Sequence, residues 1–213
     1  MVISQDLRAR LLPVRVQGQR STCLAFAAST AHECHRSSSS PLSVEYLFFH
    51  AMQRMPSGAN PDAGTTMAAM CGALANEGQP LELDWPYLPA QPAPSAWAVP
   101  AISSPCWKVV ADATSKTFDE VVSELDANRP VVLGLIITSS FFHCDGTGCL
   151  PALKSDPERT GHAVLAVGHG TDTTGEAHVL VRNTWGSSWG AAGHAWLSRT
   201  YIERQLRETA VIP

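Results

Sequence analysis

The chain has 213 residues, 45% of them hydrophobic and 16% charged, with 15 Lys and Arg against 19 Asp and Glu for a net charge of −4. That is enough to bury a full core, as one domain or as two lobes, and it offers no electrostatic case for nucleic acid or an anionic membrane surface. No apolar run approaches the roughly 20 residues a membrane span needs, and Met1-Val2-Ile3-Ser4-Gln5-Asp6 has neither a basic start nor an apolar centre. With no signal peptide visible, the expectation is a cytoplasmic protein or one exported by a route that does not read such a signal.

Residues 1–15 read as an extended crossing arm anchored by Leu11, Leu12, Pro13 and Val14. The next stretch, Val16-Gln17-Gly18-Gln19-Arg20-Ser21-Thr22-Cys23-Leu24-Ala25-Phe26-Ala27, delivers one cysteine to the start of a helix. Ser21 and Thr22 are good N-cap types, and Leu24 to Cys34 is rich in Ala with no Pro or Gly, which predicts a helix from about Cys23. The unpaired N–H groups of a first helical turn carry partial positive charge and favour a thiolate, so Cys23 is a candidate nucleophile. The Cys23 amide and the carboxamide of Gln17, upstream across a glycine, are candidate donors to a developing oxyanion. A buried small hydrophobe is the competing reading of a lone cysteine.

Ser37 to Ser40 ends this helix, and Leu42 to Phe49 opens a second one with Val44, Leu47 and Phe48 on its apolar side. Ser57 to Gly64 is a loop, and Thr65 to Ala75 a third helix with Met67, Met70, Cys71 and Leu74 on one core-facing stripe. Residues 89–105 are Pro- and Ala-rich and read as an irregular crossing, pinned by Trp97, Val99 and Ile102. Beyond it come a short strand at Lys108 to Ala111, a Thr117-capped helix to Asn128, and a buried strand at Val131 to Ile137. Two more strand-like runs hold His162 in Gly161-His162-Ala163-Val164-Leu165-Ala166-Val167-Gly168-His169-Gly170 and Asn183 in Val179-Leu180-Val181-Arg182-Asn183-Thr184-Trp185-Gly186. Ala195 to Ser198 closes the sheet. Helices first and strands second make an α+β chain, with the nucleophile in the first half, the base in the second, and the site in the cleft between.

Histidine serves as base and acid near neutral pH, and an asparagine amide can fix its tautomer, so Cys23, His162 and Asn183 form a coherent catalytic set. The Gln17-to-Cys23 segment with its C-x-A-F-A continuation, the run GHAVLAVGHG, and VRNTWGSSWGAAGHAWL together resemble the three motifs of papain-like (cathepsin-like) cysteine proteases, in the family's order. The resemblance implies a two-lobed fold: a helical lobe at 16–88 carrying Cys23, a β-sheet or barrel lobe at 100–213 carrying His162 and Asn183, the arm at 1–15 and the crossing at 89–105. It implies Cys23 as nucleophile, His162 as general base and acid, Asn183 as its orienter, Gln17 as oxyanion donor and Trp185 as a shield over the Asn183–His162 bond. Gly64, Thr65, Thr66, Gly161 and Trp185 are the substrate-binding candidates.

The chain departs from the family pattern at Leu24, where Trp is usual, and at Ser21-Thr22 in place of Gly-Ser. Secreted members pair a cysteine just before the nucleophile with one in the first lobe; Arg20 stands at that position, so this bridge cannot form. Cys144 and Cys149 flank a glycine-rich turn and either close a small disulfide or stay reduced; no second Cys pair or His cluster completes a metal site, and neither metal nor cofactor is expected. No inhibitory leader is visible, so a trimmed domain, or control by compartment or by a regulatory or inhibitory protein partner, is expected. The function expected is peptide-bond hydrolysis through a thioester on a protein or peptide substrate. An acyl-transfer amidase or ligase using the same thioester and an inactive peptide-binding domain are the alternatives.

Overall fold

The computed structural model describes residues 1–153 and 155–213. A strand β1 (Val2–Asp6) is followed by three helices, α1 (Cys23–His35), α2 (Val44–Met52) and α3 (Met67–Asn76). After α4 (Phe118–Asp126) come β2 (Val131–Thr138), the short α5 (Ser139–Phe142), β3 (Cys149–Leu150), β4 (Glu158–Thr171), β5 (Ala177–Arg182), β6 (His194–Ser198), α6 (Arg199–Gln205) and β7 (Leu206–Val211). The sheet runs β3-β6-β5-β4-β2-β7, with β1 continuing along β4 past the end of β2. Its pairs are antiparallel except β3 with β6. The chain is thus α+β, with helices leading and sheet following.

Both faces of the sheet are buried because alternate residues of a strand point to opposite sides. Val132, Ala163, Leu165 and Val167 share one core with Leu24 to Ala28 of α1, Phe48 of α2, and Met70 and Leu74 of α3. Val131, Leu133, Leu135, Ile137, Val164 and Ala166 face a second core with Phe118, Val121 and Leu125 of α4 and Tyr201 and Ile202 of α6. The apolar stripe of α1 therefore seats its N-terminus against β4, which positions the site.

Side chains cap α2 (Ser43), α3 (Thr66) and α4, where Thr117 and Glu120 form a capping box. Helix α1 differs from these three: no side chain caps it, and the Thr22 hydroxyl pairs with the Tyr87 hydroxyl at 2.8 Å. Its first-turn amides are left unclaimed by any capping side chain.

The structure differs from the sequence expectations in several places. Part of the N-terminal arm is a sheet strand; Gly168 and Gly170 admit it, because a Cβ on either would collide with β1 backbone. Lys108–Ala111 is not a strand: single bridges flank it, Trp107 to Gln79 and Asp112 to Val211, and between them the Val109 N–H donates to the Leu74 carbonyl of α3 at 3.1 Å. β6 does not close the sheet but lies between β3 and β5, and β7 joins β2 at the far end. All six cysteines are free, Cys144 and Cys149 included. In the crossing, Trp97 is held by a hydrogen bond to Glu45, while Val99 is 39% exposed.

Candidate active site

Cys23 opens α1, and the backbone N–H groups of Ala163, of Leu24 and of Cys23 itself reach toward its sulfur. Ala163 follows His162 on β4, so the helix start and the histidine strand meet here. The His162 ring is buried, with Nε2 2.8 Å from Asn183 Oδ1. The Thr184 N–H donates to that same Asn183 oxygen at 2.8 Å, which fixes it as the acceptor. A carboxamide oxygen cannot donate, so Nε2 carries the proton and Nδ1 is the nitrogen left to exchange one with a thiol.

The Trp185 ring lies 4.8 Å from that of His162 and tilted 38° to it, and Phe141 stands edge-on 5.7 Å from it. Phe142 stacks on Trp185 at 5.4 Å. His162 and Asn183 are both buried beside this aromatic wall. Burial pushes the Cys23 thiol up and pulls His162 down to about 4, the Asn183 bond opposing the latter.

Gln17 is buried, and both ends of its carboxamide are held. Thr184 Oγ1 donates to Gln17 Oε1, and Gln17 Nε2 donates to the Arg20 carbonyl at 2.7 Å. The Gln17 N–H in turn donates to the Thr184 carbonyl at 2.8 Å. An amide nitrogen carries two protons, so one remains for the cleft.

Gln17, Cys23, Gly64, Thr65, Gly161, His162 and Trp185 line one cleft of about 540 Å³. Thr66 does not: its hydroxyl caps α3 by accepting from the Ala69 N–H at 3.2 Å, and it faces a neighbouring depression beside Met55. The opposite wall adds Gly134 and Glu208, which sequence reasoning did not single out. A Cβ at Gly161 would meet nothing within 4 Å, so the wall is open there.

Thr184, which ties Gln17 to Asn183, also escaped notice, because its partners lie far apart in sequence. A group of ligand-type side chains, Asp172 and Glu176 of the β4–β5 turn and His178 of β5, brings its ligand atoms within 4.8 Å of one another. Asp172 Oδ1 already accepts from the N–H groups of Thr174 and Glu176, so it serves the turn. Among the described residues, no helix is long and apolar enough to cross a membrane.

A family model for papain family cysteine proteases matches residues 3–213. Cysteine proteinase 3 of Entamoeba histolytica is 26% identical over 212 residues, covering 92% of this chain and 62% of that protein. Digestive cysteine proteinase 3 of Homarus americanus is 29% identical over 206 residues, covering 93% and 62%. The chain thus spans about three-fifths of the length of these relatives. Among solved structures, xylellain, a cysteine protease from Xylella fastidiosa, superposes with a TM-score of 0.80 at 25% identity over 98% of this chain and 84% of that one. A structure from work on the mite allergens Blo t 1 and Der p 1 gives the same TM-score of 0.80 at 23% identity over 98% and 70%, a likeness of fold. The family model runs through every element from β1 to β7, and the helix-to-sheet seam that it spans is the one that brings Cys23 up to the histidine strand: the chain belongs to the papain family of cysteine proteases.

Proposed function

We propose that the protein is a cysteine peptidase in which Cys23 attacks the carbonyl of a peptide bond and His162 moves the proton. Either charge alone is disfavoured by burial, so thiolate and imidazolium arise together: the proton passes from Sγ to Nδ1, and each ion relieves the cost of burying the other. Attack forms a tetrahedral intermediate whose oxyanion is met by the Cys23 N–H and the free proton of Gln17 Nε2. Imidazolium then protonates the leaving amine and the C–N bond breaks, leaving a thioester on Cys23. Neutral His162 takes a proton from water, which adds to the thioester and releases the acid. Gly64, Thr65 and Gly161 are the cleft surface on which the substrate backbone lies, and Trp185 is the shield.

The observation that carries this reading is the double acceptance at Asn183 Oδ1, which protonates Nε2 and leaves Nδ1 for the thiol. Its test is active-site titration with an epoxide thiol trap. One equivalent should add at Cys23 and block peptide cleavage, and a folded Cys23→Ala chain should take up none. Labelling spread over Cys71, Cys144 and Cys149, with Cys23 silent, points instead to the inactive binding domain.

The cleft also speaks to the substrate side chain. Glu208 and Asp62 line it without an ion partner among the described residues, whereas Arg207 faces Glu158 at 3.6 Å. Gly134, beside Glu208, adds no side chain to fill the space. A basic side chain entering here meets an uncompensated carboxylate. Exposed pairs are worth up to about 1 kcal/mol, so Glu208→Gln is expected to lower kcat/KM about fivefold for a peptide with Arg near the cut and to leave a Leu counterpart unchanged. Equal loss on both peptides would remove Glu208 from the specificity surface.

A further inference from the structure

Resting on the catalytic reading above, we propose that Arg20 and Glu45 form a buried brace that aims Gln17, making Arg20 a positioning residue for the oxyanion donor. Arg20 is 4% exposed and Glu45 not at all. The guanidinium places all five of its N–H donors: two on Glu45, at 2.5 and 3.0 Å, two on Gln91 Oε1, at 3.1 and 2.7 Å, and one on the Leu88 carbonyl at 2.8 Å. It also lies over the rings of Tyr87, Phe48 and Trp97, with centroids 5.1, 5.5 and 5.9 Å away. The carboxylate is as fully engaged, since the Leu88 N–H donates to it at 3.2 Å and Trp97 Nε1 at 2.7 Å.

A buried charge pair this complete ties three separate segments together: the loop before α1, helix α2 and the 88–97 crossing. What links it to chemistry is the Arg20 carbonyl, which accepts from Gln17 Nε2 at 2.7 Å and from the Thr22 N–H at 2.8 Å. One proton of the amide that aims the other into the cleft is therefore anchored on the backbone of the residue whose side chain is bolted to α2. Tyr87, which the guanidinium covers, adds a second tie by donating from its hydroxyl to the Gln17 carbonyl at 2.7 Å. Charge and hydrogen bonds, not a covalent bridge, hold this loop, so the aim of Gln17 does not depend on an oxidising compartment.

Arg20→Lys retains the charge that Glu45 needs but has only three donors on one nitrogen, so the fork contacts are lost. The variant should lower kcat on a peptide amide about tenfold with KM within about twofold, since a misaimed donor is felt only where the oxyanion forms. Alkylation of Cys23 by iodoacetamide, which builds no oxyanion, should stay within about twofold. The decisive measurement is the cycle with Gln17→Ala: if Arg20 acts through Gln17, Arg20→Lys costs almost nothing once Gln17 is gone. Glu45→Gln, an isostere that keeps an acceptor, gives the same pattern at about threefold and serves if Arg20→Lys does not fold. Effects that add in the double variant, or kcat and alkylation falling together, overturn the brace. A wild-type chain that neither alkylates at Cys23 nor cleaves overturns the catalytic reading itself, which is a different result from an active wild type with an indifferent Arg20→Lys.

Discussion

Replacing His162 with Ala is expected to slow alkylation of Cys23 at pH 7 by at least about a hundredfold and to cut peptide kcat/KM by about a thousandfold or more. The sign follows from burial. The Cys23 thiol is pushed above its ordinary range because an isolated thiolate would lose hydration, and the amides of Ala163, Leu24 and Cys23 offset only part of that cost. With an imidazole present, the proton has somewhere to go inside the protein and the ions form as a pair. With Ala there, the sulfur must ionise alone, and each pH unit below its raised value costs tenfold in thiolate. The alkylation rate of the variant should therefore climb with pH and recover only above the ordinary thiol range, whereas the wild type is already fast at neutrality. The loss of turnover is larger than the loss of alkylation, because the leaving amine also loses its acid, a role worth about a hundredfold or more. A His162→Ala chain that alkylates at the wild-type rate at pH 7 would show that Cys23 is ionised by the helix end alone, or not at all by this ring.

The proposed reacting groups could be picked from the sequence because chemistry constrains their types and order. A thiol at a helix start, a histidine on a small-residue strand and an asparagine after the next strand have few other reasons to recur at those places. The longer helices were legible too, since Met67, Met70 and Leu74 mark a helical stripe and Thr117 marks a cap. What failed was the end of the sheet. Arg199 to Glu208 is dense in charge and hides α6 and the start of β7, a strand whose Arg207 and Glu208 reach solvent before Thr209 to Val211 turn inward. The N-terminal strand failed for a related reason: Val2 and Ile3 stay exposed at 70% and 48%, so no burial pattern announces them. Arg20 is the more instructive case. The sequence showed that no bridge could form there, but its replacement is assembled from Glu45, Gln91 and Trp97, which local periodicity reads as a helix face and a Pro-rich crossing. Ties made by tertiary approach, like that of Thr184 to Gln17, leave no spacing to read.

Gln17→Ala is the second large expected effect: about a hundredfold loss of kcat on an amide substrate, with KM and the rate of Cys23 alkylation each within about twofold, as expected for a donor used only in the transition state. The substitution should leave the fold intact. The Arg20 carbonyl keeps its bond from the Thr22 N–H, and the Gln17 N–H and carbonyl, bound to Thr184 and Tyr87, are backbone groups that Ala retains. Only the Thr184 hydroxyl is left without a partner, beside the space that Gln17 vacates on the cleft wall. Thr184→Val works on the same donor from the other side, freeing Gln17 Oε1 and letting the amide rotate, and should cost about tenfold in kcat. Gln17→Glu separates geometry from charge: it matches the shape but puts a carboxylate where negative charge develops, so at pH 7 it should turn over no faster than Gln17→Ala. If the anionic isostere were faster than Ala, or if the Ala variant kept kcat within about threefold while folded, the oxyanion would have to be held by the helix amides alone and the Gln17 corner would be only part of the wall.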